Sequence, residues 1–140
     1  LLKGINDDAA TLMALLNRFV MLSIVPYYLF HCMDVLGTYH LRTSVQKGAD
    51  LLAALAARSG VYAPTYVYVS PVGKHRVGAG ARLDYRTIDG RRYVRALSPY
   101  RADDFLAFSG RDRLPPLHER GPEGFIVSHY LDGDDEPVAS

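Results

Sequence analysis

The chain has 140 residues, 49% of them hydrophobic and 22% charged, with a formal net charge of +1. That length supports one domain with a real core, and the balanced charge gives no reason to expect nucleic acid or an anionic membrane as partner. Cys32 is the single cysteine, which excludes an internal disulfide and any multi-cysteine metal site within the chain; a cytoplasmic setting fits that usage.

The longest apolar stretch, Leu12 to Met33, is interrupted by Asn17, Arg18, Ser23, Pro26 and His31. A membrane span needs roughly 20 mostly apolar residues without such breaks, so the stretch reads as a helix followed by a strand. Leu1-Leu2-Lys3-Gly4 lacks the features of a signal peptide, and its abrupt apolar start reads as the end of a strand that begins upstream.

In chain order, Asn6 and Asp7 offer N-cap oxygens. Ala9, Leu12, Met13, Leu16, Phe19 and Val20 then recur at the spacing of an amphipathic helix running to about Leu22. Ile24 to Phe30 is a short apolar and aromatic run expected to form a strand buried on both faces. A polar loop, His31 to Arg42, leads to a second helix capped by Thr43 or Ser44, with Val45, Ala49, Leu52, Leu55 and Ala56 inward and Gly60 at its end. Thr65 to Val69 is β-branched and aromatic, a third strand. Strand, helix, strand, helix, strand is the order of parallel β/α units.

After Pro71 the pattern changes. Pro71 to Gly80 reads as a Gly-punctuated loop, and Arg82–Thr87 with Arg92–Leu97 as a hairpin around Asp89-Gly90, a pair suited to a type I′ turn. Beyond Ser98 the signals weaken, and Pro115-Pro116, Gly121-Pro122 and the acidic stretch Asp132 to Glu136 suggest an irregular tail that frays after about Leu131. The expected division is therefore 1–75, carrying the β/α units, and 76–140, a C-terminal extension.

Function in parallel α/β folds gathers at the C-terminal ends of strands. His31, Cys32, Met33 and Asp34 lie at one such end, and Val69, Ser70 and Pro71 through Lys74 at another. Lys74, beside Gly73, could form a Schiff base if desolvated, against the plain alternative of a solvated turn lysine. His31, Cys32 and Asp34 are too closely spaced to complete a zinc site, and no metal site is expected. Tyr27, Tyr28, Tyr39 and Tyr62 read as core or pocket walls. Arg42 could bind a carboxylate or phosphate bidentately, or be a surface charge flanking the helix.

Leu1-Leu2-Lys3-Gly4-Ile5-Asn6-Asp7, Pro26-Tyr27-Tyr28-Leu29, His40-Leu41-Arg42-Thr43 with Val45 and Lys47-Gly48, and Ala63-Pro64-Thr65 occur together in an order and spacing that resembles the lysine 2,3-aminomutase family. The resemblance covers roughly residues 1 to 75 and implies the C-terminal part of a partial (β/α)6 radical S-adenosylmethionine barrel. It implies an isomerase that moves an amino group from C2 to C3 of an amino acid. The implied cofactors are pyridoxal phosphate, S-adenosyl-L-methionine and a 4Fe–4S cluster whose cysteine loop is not in this chain. Lys74 matches the family's aldimine lysine, although its glycine run is about two residues shorter. Gly73, Tyr27 and Tyr28 are the implied cofactor neighbours, and Met33, Asp34, Val69, Ser70, His31 and Arg42 the implied substrate pocket. Lysine-specific members place aspartates where this chain has Met33 and Val69. A buried ammonium without a paired carboxylate is costly, so the expected substrate is an amino acid other than L-lysine. The family's C-terminal region also implies contacts between identical subunits. The competing expectation is a non-catalytic α/β association module.

Overall fold

A computed structural model describes residues 1–58 and 63–133. Gly60, Tyr62 and the acidic positions beyond 133 lie outside the described residues. The chain divides into two compact units. The first contains Leu1–Tyr68, Arg76–Arg82 and Gly133; the second contains Val69–His75 and Leu83–Asp132.

In the first unit, helix α1 (Ala9–Met21) starts at Asp8, whose carboxylate accepts the Thr11 N–H at 2.9 Å. An acceptor at this position satisfies one of the N–H groups that a helix leaves unpaired. Leu12 and Leu16 point inward and bury with Leu55, while Met13 and Leu29 pack on that cluster. Helix α2 (Val45–Ala56) is capped by Ser44, whose Oγ accepts the Lys47 N–H at 3.2 Å. Gly48 on α2 admits the ring of Tyr66: a Cβ there would overlap Cζ, the hydroxyl and Cε1.

Strand β1 (Tyr28–Phe30) lies between the helices in sequence and pairs in parallel with β2 (Thr65–Ser70), Tyr28 opposite Thr65 and Phe30 opposite Val67. Strand β3 (Gly73–Val77) follows after Pro71 and Val72 and completes a sheet of order β1-β2-β3.

The second unit is built on an antiparallel sheet of order β4-β5-β7-β6. Strands β4 (Asp84–Ile88) and β5 (Arg91–Arg101) close on Ile88 opposite Arg91, with Asp89 and Gly90 both at positive φ, 50° and 73°. That is the two-residue turn which matches the twist of paired strands. Helix α3 (Ala102–Ser109) ends at Gly110 in the left-handed conformation. Strand β6 (His118–Arg120) then pairs with β7 (Phe125–Leu131), which also pairs with β5. Val72, Ala102 and Ile126 are the buried centre of this unit, with Phe105 and Leu114 against them.

The barrel expectation is corrected by this topology. Both sheets are open, and β1 and β2 make the single parallel β/α/β step among the described residues. A closed or curled barrel wall needs that step repeated, and here β2 passes through a tight turn into β3 instead of into a helix. Residues 1–5 form no strand, residues 3–6 being turn, and the run from Ile24 to Phe30 is strand only over its last three residues. Ile24 and Val25 are 49% and 68% exposed, so this run is not buried on both faces. The expected loop after Pro71 contains β3, and the expected irregular tail contains α3, β6 and β7. Among the described residues, no helix is long and apolar enough to cross a membrane.

Candidate functional site

Two polar clusters stand out, one in each unit. In the first unit, His31 follows β1 and is buried, its Nδ1 lying 2.7 Å from the Tyr66 hydroxyl. Burial, reinforced by the nearby Arg42 charge, lowers this imidazole to about 3, so it is neutral at physiological pH. Arg42 is itself buried. Its Nε donates to the Cys32 carbonyl at 3.4 Å, and one terminal nitrogen meets the Asp34 carboxylate at 3.6 Å. The guanidinium therefore braces the chain just past β1 rather than decorating the surface.

Asp7 joins the same unit. Its carboxylate accepts the Gly4 N–H at 2.8 Å and the Lys47 ammonium at 2.6 Å. Burial pushes its pKa up, but the Lys47 hydrogen bond and charge with the Gly4 N–H outweigh that and hold it below the ordinary value.

Met33 and Asp34 are both exposed and lie beyond the strand. The rule that successive residues face opposite ways therefore does not apply to them. Asp34 is held by Arg42 instead. Tyr27 and Tyr28 bring their rings within 4.3 Å centroid to centroid, and Tyr28 meets Phe30 at 5.6 Å, forming an aromatic edge along β1.

In the second unit, Ser70 ends β2 and is buried with its Oγ 3.0 Å from His75 Nε2. The same oxygen accepts the Val72 N–H at 3.3 Å, which shapes the turn into β3. His118 Nε2 stands 3.5 Å from Ser70 Oγ and 3.2 Å from Ser128 Oγ. The other ring nitrogen of His118 lies 2.8 Å from the Pro116 carbonyl, an acceptor only, so Nδ1 carries the proton and Nε2 receives. Burial lowers His75 to about 4, with the neighbouring His118 adding to the shift, and burial also lowers His118. The result is a neutral chain of two imidazoles and two hydroxyls. Beside it His129 Nε2 meets Glu119 at 3.2 Å, while its buried Nδ1 has no hydrogen-bond partner among the described residues.

Lys74 lies on β3, exposed, on the strand face opposite the buried His75 and Val77. Gly73 precedes it at φ +128°, and a Cβ there would sit 2.8 Å from the Tyr100 ring. Val69 is half-buried and Ser70 buried. The candidate residues thus fall into two groups: His31, Asp34 and Arg42 are joined by contacts in one unit, and Ser70, Gly73 and Lys74 lie along one turn in the other.

No known family profile matches the chain. An Aquifex aeolicus protein carrying the provisional name L-lysine 2,3-aminomutase is 40% identical over 78 residues, 55% of this chain and 21% of that protein. The L-lysine 2,3-aminomutase of Clostridium subterminale is 38% identical over 74 residues, 52% of this chain and 18% of its own length. Another Aquifex aeolicus match of that provisional name is 30% identical over 139 residues, which is 99% of this chain and 33% of that protein.

The chain is a relative of the 2,3-aminomutases. Its matched part spans 18% to 33% of the length of these relatives.

Two cofactor groups go with the aminomutase resemblance, and the described residues meet them differently. For pyridoxal phosphate, Lys74 offers a primary amine on the exposed face of β3. Gly73 offers no open cradle for its phosphate, because Tyr100 fills the space a side chain would take. For an iron–sulfur cluster, no group of three or more His, Cys, Asp or Glu side chains that could hold a metal occurs among the described residues.

Sequence reading missed His75, His118 and Ser128 as a group. His75 was accessible in principle, because Lys74-His75-Arg76-Val77 alternates polar and buried positions at strand period. His118 and Ser128 become neighbours only through the β6–β7 register, where they pair directly.

Proposed function

We propose that this chain is the cofactor-lysine segment of a radical S-adenosylmethionine, pyridoxal-phosphate-dependent amino-acid 2,3-aminomutase-like enzyme, with Lys74 as the attachment point and a substrate other than L-lysine. The observation that carries the reading is the relationship to proteins named 2,3-aminomutases, which in one case extends over 99% of the chain. A change of substrate has a precedent among them: the glutamate 2,3-aminomutase of Clostridioides difficile is 36% identical over 74 residues.

Pyridoxal phosphate, when bound, supplies the aldehyde and an electron-withdrawing ring. The chain's own part is to present the Lys74 amine from a rigid strand, where the Ser70 turn fixes its backbone. Met33 and Val69 stand where the resemblance places carboxylates in lysine-specific members, and neither carries a charge, which supports a substrate without a distal ammonium. The chemistry of the iron–sulfur cluster falls to polypeptide outside this chain.

The test is borohydride trapping with pyridoxal phosphate on the chain, followed by peptide mapping. Lys3, Lys47 and Lys74 are its lysines, and Lys47 is held by Asp7. Labelling is expected to concentrate on Lys74 and to vanish in Lys74→Ala, with unchanged folding because the side chain is exposed. Equal labelling of all three lysines, or an unchanged yield in Lys74→Ala, would overturn the assignment and favour the non-catalytic association module.

A further inference from the structure

The second unit holds an open cleft of about 690 Å³ whose lining reaches Gly73 but does not include Lys74. Its walls include Tyr100, Phe105, Phe108 and Phe125, and two charged residues, Arg101 and Asp104, share the lining. We propose that this cleft is a binding site for a free aromatic α-amino acid.

Phe105 and Phe125 are half-buried in the wall, whereas Tyr100 and Phe108 leave apolar surface exposed to water. Phe108 is 94% exposed, and a large apolar side chain so open at the lip of a cleft marks a surface that a ligand covers. The volume falls within the usual range for small-molecule sites, about 300–1,000 Å³.

The charged groups are placed for a zwitterion. The Arg101 guanidinium lies over Phe125, its carbon 5.6 Å from the ring centroid, which fixes its plane and leaves its edge to donate. Gly124, at φ +80°, makes room for it: a Cβ there would come 3.2 Å from the Arg101 nitrogen. The bare Gly73, also in the lining, lets Tyr100 close against the backbone. Arg101 also contributes to lowering the Asp103 pKa, but the hydrogen-bonded partner of Asp103 is Arg120, at 2.6 Å.

Arg101 and Asp104 form no ion pair with each other among the described residues, although both line the cleft. A guanidinium and a carboxylate that line one concavity without an ion pair between them suit the two charges of an α-amino acid, carboxylate on Arg101 and ammonium on Asp104, with the side chain among the rings. A phosphate dianion is disfavoured by Asp104, a simple cation by Arg101, and a short aliphatic side chain forfeits the stacking.

The chain contains no tryptophan, so L-tryptophan reports its own binding by a blue shift of its emission. Saturable binding is expected with a dissociation constant of about 0.1–1 mM, as suits an open site with exposed charges. Indole-3-propionate, lacking the ammonium, and tryptamine, lacking the carboxylate, are each expected to bind about tenfold more weakly, the loss of one charge-assisted contact. Arg101→Met is expected to erase the advantage over tryptamine, Asp104→Asn the advantage over indole-3-propionate, and Phe108→Ala to weaken all three ligands. Lys74→Ala leaves binding unchanged, which separates this site from the proposed cofactor lysine. Absence of saturation by about 5 mM, equal binding of either one-charge ligand, or indifference to Phe108→Ala and Arg101→Met would each overturn the proposal.

Discussion

Replacing Gly48 by alanine gives a sharp test of the packing, because two effects of opposite sign compete. In an ordinary helix interior, alanine is favoured over glycine by about 1 kcal/mol. Gly48 lies inside α2, so on propensity alone the substitution stabilises. The structure reverses that sign. The new Cβ would sit closer than 3.0 Å to two ring carbons and the hydroxyl of Tyr66, a separation real Cβ atoms essentially never show. Tyr66 is 1% exposed and its hydroxyl is bonded to His31 at 2.7 Å, so the ring cannot move without cost. Overpacking of this kind costs about 1–3 kcal/mol, and disturbing a buried hydrogen bond adds about 1–3 kcal/mol. Set against the propensity gain, the net loss is about 3 kcal/mol, or roughly 10 °C in Tm for a chain of this size. Urea and thermal unfolding followed by far-ultraviolet circular dichroism measure it. Repeating the substitution in a Tyr66→Leu background removes the obstruction, and Gly48→Ala should then be neutral or mildly stabilising. A rise in Tm on the parent background, or the same loss on both, would refute the reasoning.

Acid should weaken the fold through its buried histidines. His31 and His75 are lowered in the folded state from 6.5 to about 3 and about 4, so the unfolded chain binds protons first. Their contribution is intact above pH 6.5 and is lost as pH falls toward 4, at up to about 1.4 kcal/mol per pH unit for each imidazole; His75→Gln should flatten the pH dependence of urea midpoints over that window, and an unchanged slope would contradict the burial of His75. The Asp89-Gly90 turn makes a local test. Gly90→Ala, at φ 73°, should cost about 1 kcal/mol, while Asp89→Asn, at φ 50°, should be neutral or stabilising by a few tenths; chemical denaturation that ranks the two variants the other way would exclude this turn geometry.

Much of the local structure was legible because its signals are local. The apolar spacing from Ala9 to Val20 matches α1, Ser44 caps α2 as one of the two residues expected, and Asp89-Gly90 turns the hairpin. What failed was whatever depended on distant partners. The run from Ile24 to Phe30 looked doubly buried, yet only Tyr28–Phe30 find a neighbouring strand. Strand β3 was hidden because Gly73 and Gly78 bracket charged residues, so loop chemistry masked the alternation. Strand β7 was missed for the reverse reason: Ile126 through Tyr130 are all buried, which removes the alternation that would announce a strand. The site shows the same division. Lys74, Ser70, His31 and Arg42 could be named from sequence, but the ring contacts of His31 and Ser70 come from Tyr66, His75 and His118, which only the fold brings near.

Gly133 packs its backbone against Thr43 so closely that a Cβ would lie 2.9 Å from the Arg42 side chain. The first unit is thus sealed by a residue that emerges from the ribosome only after nearly all of the second has been made. Contacts between such remote positions form late, because closing a long loop costs entropy before anything is gained. The segment that buttresses Arg42 waits on the last described stretch of the chain.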